Sequence, residues 1–186
     1  MKRLLDIFFG ILLVGVLAEA IIIIAFIIKL TSKGPVLFWS SRIGQYNLLF
    51  KMPKFRTMKI ETPQLATHLL NDPESFYTPF GKFLRKFSLD EIPQLLSILK
   101  GDMSFIGPRP ALYNQDDLMN LRTKKGIHEL KPGLTGWAQV NGRDEISIPE
   151  KVILDEEYLR KMSWKMDIYI LWLTLVKVIK RDDVSH

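Results

Sequence analysis

The stretch that most constrains this chain is the apolar run from Ile7 to Ile28, 22 residues broken only by Glu19 and preceded by Met1-Lys2-Arg3. A bilayer core takes ~20 apolar residues as a helix, so the run predicts a membrane-embedded helix over residues 1–30. A secretory signal shares its basic start and the small-x-small look of Ala18-Glu19-Ala20. It fails because the apolar stretch continues unbroken to Ile28, and cleavage would leave an apolar mature terminus. A buried soluble helix is shorter and less apolar than this. Lys2 and Arg3 lie before the run and Lys29 and Lys33 after it, so neither flank is marked as the outside. That balance suits a re-entrant helix with both ends on the cytoplasmic face. Glu19, near the deep end, costs roughly 2–3 kcal/mol to insert, and Asp6 is too far along a straight helix to pair with it.

The remaining residues, 31–186, read as one catalytic-sized domain. With no cysteine, disulfides, thiol catalysis and Cys-type zinc sites are excluded, and three scattered histidines lack metal-ligand spacing. A net charge of +6 points to an anionic partner: a phosphorylated ligand, an anionic lipid or a nucleic acid. Pro35–Trp39 and Leu48–Met52 predict a β-hairpin across Arg42–Asn47. Lys51–Lys59 then holds four cations in nine residues, either a solvated edge or a headgroup contact.

Ser88-Leu89-Asp90-Glu91-Ile92-Pro93-Gln94-Leu95 sets two adjacent carboxylates between a basic stretch and an apolar helix ending at Lys100-Gly101. Ser88 and Glu91 match a capping box, which would make the acids structural. Pro93 distorts such a start, and an Asp held there beside Arg85 and Lys86 would stay ionised, able to act as nucleophile or metal ligand. Further on, two prolines flank Arg109, either in a plain surface turn or as a stiffly presented fork for phosphate oxygens. Residues 111–130 look helical and polar. In Lys131–Arg143, three glycines allow close backbone approach; Gln139 and Asn141 can read an amide or base edge, and Arg143 can meet phosphate. The same segment also reads as a hairpin turned at Asn141-Gly142 with Trp137 buried. Ile148-Pro149-Glu150 opens a helix. The apolar stretch from Trp164 to Lys180 is short for a span and fits a core or an interfacial helix.

Lys54-Phe55-Arg56-Thr57-Met58, Ser88-Leu89-Asp90-Glu91-x-x-Gln94-Leu95, Gly101–Pro110 and Lys131–Arg143, in this order, resemble the bacterial sugar transferase family of small monotopic phosphoglycosyl transferases. The likeness runs from Lys2 to about Arg181. It implies a magnesium-dependent enzyme at the cytoplasmic face of the bacterial inner membrane. Such an enzyme transfers a sugar 1-phosphate from a UDP-sugar to polyprenol phosphate, releases UMP and begins glycoconjugate assembly. It also implies that Asp90 attacks the β-phosphorus and touches Mg²⁺, and that Glu91 assists. On that reading Arg85 and Arg109 are phosphate candidates, and Gln139, Asn141 and Arg143 belong to the nucleotide side. Partners are then UDP-sugar, polyprenol phosphate and membrane lipid, with a homodimer left open. A nucleic acid is not expected, since no recognised binding motif is visible. One departure is plain: the family's helix carries a central Ser-Pro break, and here Ala18-Glu19 stand at those positions, so the usual cause of a kink is absent. The expected fold is α+β, mainly helical, with a short hairpin, the re-entrant N-terminal helix and interfacial helices.

Overall fold

The computed structural model describes residues 2–62, 72–142 and 146–180. The apolar run folds as two helices, α1 (Lys2–Val16) and α2 (Ala18–Thr31), bent by 61° where Leu17 interrupts them. At ~1.5 Å per residue each arm is roughly 20 Å long, and neither is long and apolar enough to cross a membrane alone. The bend forms without proline. Leu17 sits at φ −93°, ψ 3°, and the turn stays bonded from Leu17 N to Leu13 O and from Ile21 N to Leu17 O, each 2.9 Å. Its cause is tertiary. Leu13, Val14 and Leu17 pack on Met52, Leu95, Ile98 and Met103, whereas Ile24 and Ile28 join a different cluster with Phe55 and Leu84. Two patches of one body each hold one arm, which a local signal at Ala18-Glu19 could not reveal.

Polar anchors fix both ends of the bent pair. Asp6, buried inside an apolar helix, accepts hydrogen bonds from Ser104 Oγ (3.1 Å) and Phe105 N (3.2 Å), which accounts for its burial. At the far end Arg56 donates to the carbonyl of Lys33 and to Ser32 O (3.1 Å) and Oγ (2.9 Å), closing the end of α2.

The expected hairpin is present and longer than read: β1 (Leu37–Ile43) runs antiparallel to β2 (Leu49–Phe55), from Leu37 opposite Phe55 to Ile43 opposite Leu49. Then come α3 (Gly81–Lys86), a 3₁₀ turn over Leu89–Gln94, and α4 (Leu95–Lys100), stopped by Gly101 at φ 102°. Arg3 from α1 donates to the Ile98 and Leu99 carbonyls at that same end, and Gly10 lets α1 lie against Leu99. Next are β3 (Ser104–Ile106), α5 (Asp116–Lys124), β4 (Gly133–Thr135), α6 (Trp137–Val140), α7 (Ile148–Lys161) and α8 (Trp164–Lys180). The architecture is α+β and mainly helical, with β1–β2 and a second, parallel pair β3–β4.

Three local expectations change. The segment after Lys131 is not a hairpin turned at Asn141-Gly142: Gly133–Thr135 pairs with Ser104–Ile106, and the chain then enters α6. Its glycines serve a close crossing, since a Cβ on Gly136 would lie 2.1 Å from Gly107 O. The stretch 111–130 is helical over Asp116–Lys124, followed by a 3₁₀ turn at Ile127–Glu129, because Leu112 bridges to Arg42 before it and Gly126 turns at φ 74° after it. The capping box at Ser88 is absent. That residue adopts φ 53° with no side-chain cap, and a true box closes on Ser147 and Glu150, opening α7. On α8, Ile170 is buried while Trp164, Tyr169, Trp172 and Leu175 are exposed.

Candidate active site

The 3₁₀ turn carrying Asp90 and Glu91 is held from below. Leu89 packs against the cluster of Phe55 and Leu84, and Ile92 against that cluster and the one around Leu95 and Met103. Pinning the residues on either side of the dyad leaves the two carboxylates little freedom. The left-handed Ser88 lets the chain reverse from α3 straight into this turn, and Pro93 lies within it.

Three elements converge on the dyad. From β2, Lys54 Nζ donates to Glu91 Oε1 at 2.8 Å and stands 3.8 Å from Asp90 Oδ2, so one ammonium serves both acids. From the loop after β3, Arg109 Nη2 reaches the same Glu91 oxygen at 3.3 Å. From α3, Arg85 donates to Met58 Sδ (3.6 Å) and lies 5.5 Å from the centre of the Tyr77 ring. Asp90 is 7 % exposed and accepts no hydrogen bond among the described residues. Burial raises its carboxyl above the ordinary value. Lys54 opposes this, Glu91 adds to it, and Arg85 and Arg109 oppose it again. The expectation that Arg85 and Lys86 hold Asp90 ionised is thus corrected: desolvation is the leading influence, Lys54 is the main counter-charge, and Lys86 points to solvent.

A second layer supports Arg109. Its carbonyl accepts from Arg122 Nη1 at 2.8 Å, and Arg122 Nε and Nη2 both donate to Asp155 Oδ2, at 3.0 and 2.6 Å. The prolines flanking Arg109 and this buried pair fix the loop from both sides. Of the residues expected on the nucleotide side, Gln139 and Asn141 are bonded to backbone carbonyls. Gln139 Nε2 donates to Leu134 O (3.1 Å), with its buried Oε1 unpartnered among the described residues, and Asn141 Nδ2 donates to Trp137 O (2.8 Å). Neither contacts the dyad, and Arg143 lies outside the described residues.

Lys54 was not singled out from sequence, where it is one of four cations in nine residues. Alternation along β2 did not mark it: Lys54 shares a face with buried Met52, but exposed Lys51, bonded to Ser41, shares one with buried Pro53 and Phe55. Arg122 gave no signal either, sitting in a helix of mostly polar residues. Among the described residues no three Asp, Glu or His side chains gather as a metal cage.

The bacterial sugar transferase profile matches residues 1–181. An uncharacterized sugar transferase of Bacillus subtilis, EpsL, is 41% identical over 100% of this chain and 91% of its own length. The UDP-glucose:undecaprenyl-phosphate glucose-1-phosphate transferase of Escherichia coli is 40% identical over 95% of this chain and 40% of its own. The undecaprenyl-phosphate galactose phosphotransferase of Salmonella typhimurium is 33% identical over 98% of this chain and 41% of its own. The chain therefore spans nearly all of the first relative and about two fifths of the other two.

Proposed function

The chain belongs to the bacterial sugar transferase family, and from that premise we propose that it moves a sugar 1-phosphate from a UDP-sugar to polyprenol phosphate through an aspartyl phosphosugar at Asp90. The observation that carries this reading is the state of Asp90: buried, without a hydrogen-bond donor among the described residues, and faced by Lys54 next to a Glu91 already clamped by Lys54 and Arg109. A carboxylate that spends no lone pair on the protein keeps it for phosphorus. One Asp90 oxygen bonds to the β-phosphorus as the bond from that phosphorus to the bridging oxygen breaks, and UMP leaves with the electron pair. A phosphate oxygen of the lipid then attacks the same phosphorus, and Asp90 departs as carboxylate, giving polyprenol diphosphate sugar. Glu91 takes the proton of the incoming lipid phosphate.

Two anions must meet in each step, so fixed positive charge is the main requirement. Lys54, Arg85 and Arg109 provide it, while Gln139, Asn141 and Arg143 are assigned to the nucleotide. Mg²⁺ is usually held by one or two carboxylates together with substrate phosphates, and Asp90 beside Glu91 fits that small donor set. When bound it would neutralise charge on the diphosphate.

Residues 1–30 are read as the membrane-embedded, re-entrant helix and 31–186 as the catalytic domain on the cytoplasmic face of the inner membrane. Both arms of the bent pair pack along the same body and carry polar anchors to it at both ends, which favours a return over a crossing. Leu4, Phe8, Val16, Ile22 and Phe26 leave an apolar face open on the other side, and Trp164, Tyr169 and Trp172 of α8 suit the headgroup level. A cysteine placed ahead of Met1 should resist an impermeant reagent in intact spheroplasts, and labelling from outside would exclude re-entry. For the chemistry, the protein incubated with a panel of UDP-sugars and no acceptor should gain one phosphosugar mass on the peptide holding residue 90. Product formed without that adduct overturns the mechanism.

A further inference from the structure

A cavity of about 260 Å³ lies away from the dyad, between the start of α1, strand β3 and the α7–α8 junction. Its lining shares no residue with the Asp90 site, and it includes Lys2, Arg3, Lys131 and a single carboxylate, Glu129. Of the three cations only Lys2 is neutralised, by Asp167 at 3.0 Å, and its ammonium also donates to Tyr158 Oη at 2.7 Å. Arg3 spends its donors on the uncharged carbonyls of Ile98 and Leu99. Lys131 makes no hydrogen bond or ion pair among the described residues. Yet Arg3 Nη2 and Lys131 Nζ converge: a Cβ built on Gly101 would lie 3.3 Å from the first and 3.7 Å from the second. The neighbouring Asp102 does not balance them, since it is held by Lys100 at 3.0 Å. Arg3 and Lys131 lie close together with Glu129 as the single carboxylate in the lining and no ion pair to it among the described residues, so an excess positive charge remains that an anion would balance.

The residues that neighbour its lining along the chain narrow the class of anion. Met162 lines it, with exposed Trp164 two residues on, and the exposed Leu4 and Leu5 follow directly from Arg3. These are the beginnings of the two apolar faces read above as lipid-facing, and the inference rests on that reading. A group with an anionic head and an apolar tail matches both surfaces at once. We propose that this cavity binds the phosphate of an anionic glycerophospholipid, gripped by Arg3 and Lys131. Because Arg3 also closes the end of α4, the helix following the Asp90–Glu91 turn, the bound headgroup would brace α1 against the helix behind the active site.

The test uses the full chain in detergent micelles, with melting followed by fluorescence of its four tryptophans. The probes are dioctanoyl phosphatidylglycerol, dioctanoyl phosphatidylcholine and inorganic phosphate. Phosphatidylglycerol should raise the melting temperature in a saturable way, and the other two should not. Lys131→Glu should weaken half-saturation roughly tenfold and Lys131→Gln less, whereas Lys51→Glu, the same charge change on the hairpin, should leave it unaltered. The proposal is overturned if Lys131→Glu keeps the wild-type response, if Lys51→Glu loses as much, or if phosphate alone reproduces the shift. Pelleting with pure phosphatidylcholine vesicles separates the two readings. Wild-type protein that stays in the supernatant sinks the membrane assignment and this site together, while protein that pellets without any phosphatidylglycerol preference sinks the site alone.

Discussion

Asp90 and Asp155 are both buried, at 7 % and 1 % exposure, and in both burial is the first cause raising the carboxyl above its ordinary value. They differ in what answers the burial. Asp155, on α7, receives two donors from Arg122 of α5, within 3.0 Å, and the pair is closed. Asp90 has one ammonium 3.8 Å away and no hydrogen bond among the described residues. A fold that can build the first arrangement has no structural reason to leave the second half-answered. An incompletely satisfied buried acid is a cost that a site retains for chemistry, whereas a satisfied one works as a fastener. The two are also linked, because Arg122 holds the Arg109 carbonyl and Arg109 reaches Glu91.

The comparison breaks most sharply under exchange of phenotypes. Asp90→Asn should lower turnover at least ~10⁴-fold with the fold intact, as loss of a nucleophile does. Asp155→Ala should instead cost about 3–5 kcal/mol of stability, because it strands a buried guanidinium. Joint replacement, Arg122→Met with Asp155→Leu, should recover much of that stability by removing both charges. Turnover is read by UMP release and stability by thermal melting. Wild-type turnover in Asp90→Asn, or an unchanged melting point in Asp155→Ala, would erase the contrast.

A smaller effect tests how the open acid is supported. Lys54 is the only cation within ion-pair distance of both members of the dyad among the described residues. Lys54→Met should reduce kcat/KM on the order of 10²–10³-fold, the range for removing one preorganised charge from a reacting centre. Glu91→Gln should come close to abolishing turnover, since it removes the proton acceptor and loosens Lys54 and Arg109 together. A Lys54→Met enzyme with unaltered kcat/KM would mean that the charge facing Asp90 plays no part in the reaction.

How much of this was legible beforehand depended on the range of the interaction. The hairpin, the Gly101 stop and the start of α7 at Ile148 are local patterns, and each stands where the sequence placed it. The Ser88 box failed because the same Ser-x-x-Glu spacing also occurs where the chain reverses at φ 53°, and only the packing of Leu89 and Ile92 decides between them. The bend at Leu17 was invisible for a related reason: two distant clusters impose it, and no residue at the bend encodes it. Arg122 and Asp155 are 33 residues apart on ordinary polar helices, so nothing short of the α5–α7 contact pairs them.

The smallest effect distinguishes the two aspartates without any substrate. The folded-state pKa of Asp90 is raised from 3.8, so the native state binds the proton more tightly than the unfolded chain. Its contribution to stability is therefore fully present below 3.8 and is lost as pH rises through the folded value, above which an ionised Asp90 is a liability. Asparagine cannot ionise, and Lys54 keeps Glu91 as its partner. Asp90→Asn should thus melt higher than wild type at neutral pH in the presence of EDTA, by about 1–3 °C, and the advantage should vanish on acidification below 3.8. Asp155 is raised by the same burial, yet Asp155→Asn should melt lower throughout the neutral range, because Arg122 would lose its only carboxylate within ion-pair distance among the described residues. Opposite signs for one chemical change show that burial alone does not set the role of an acid. If Asp90→Asn also melted lower at neutral pH, Asp90 would be a fastener like Asp155 and the case for it as a nucleophile held in reserve would fail.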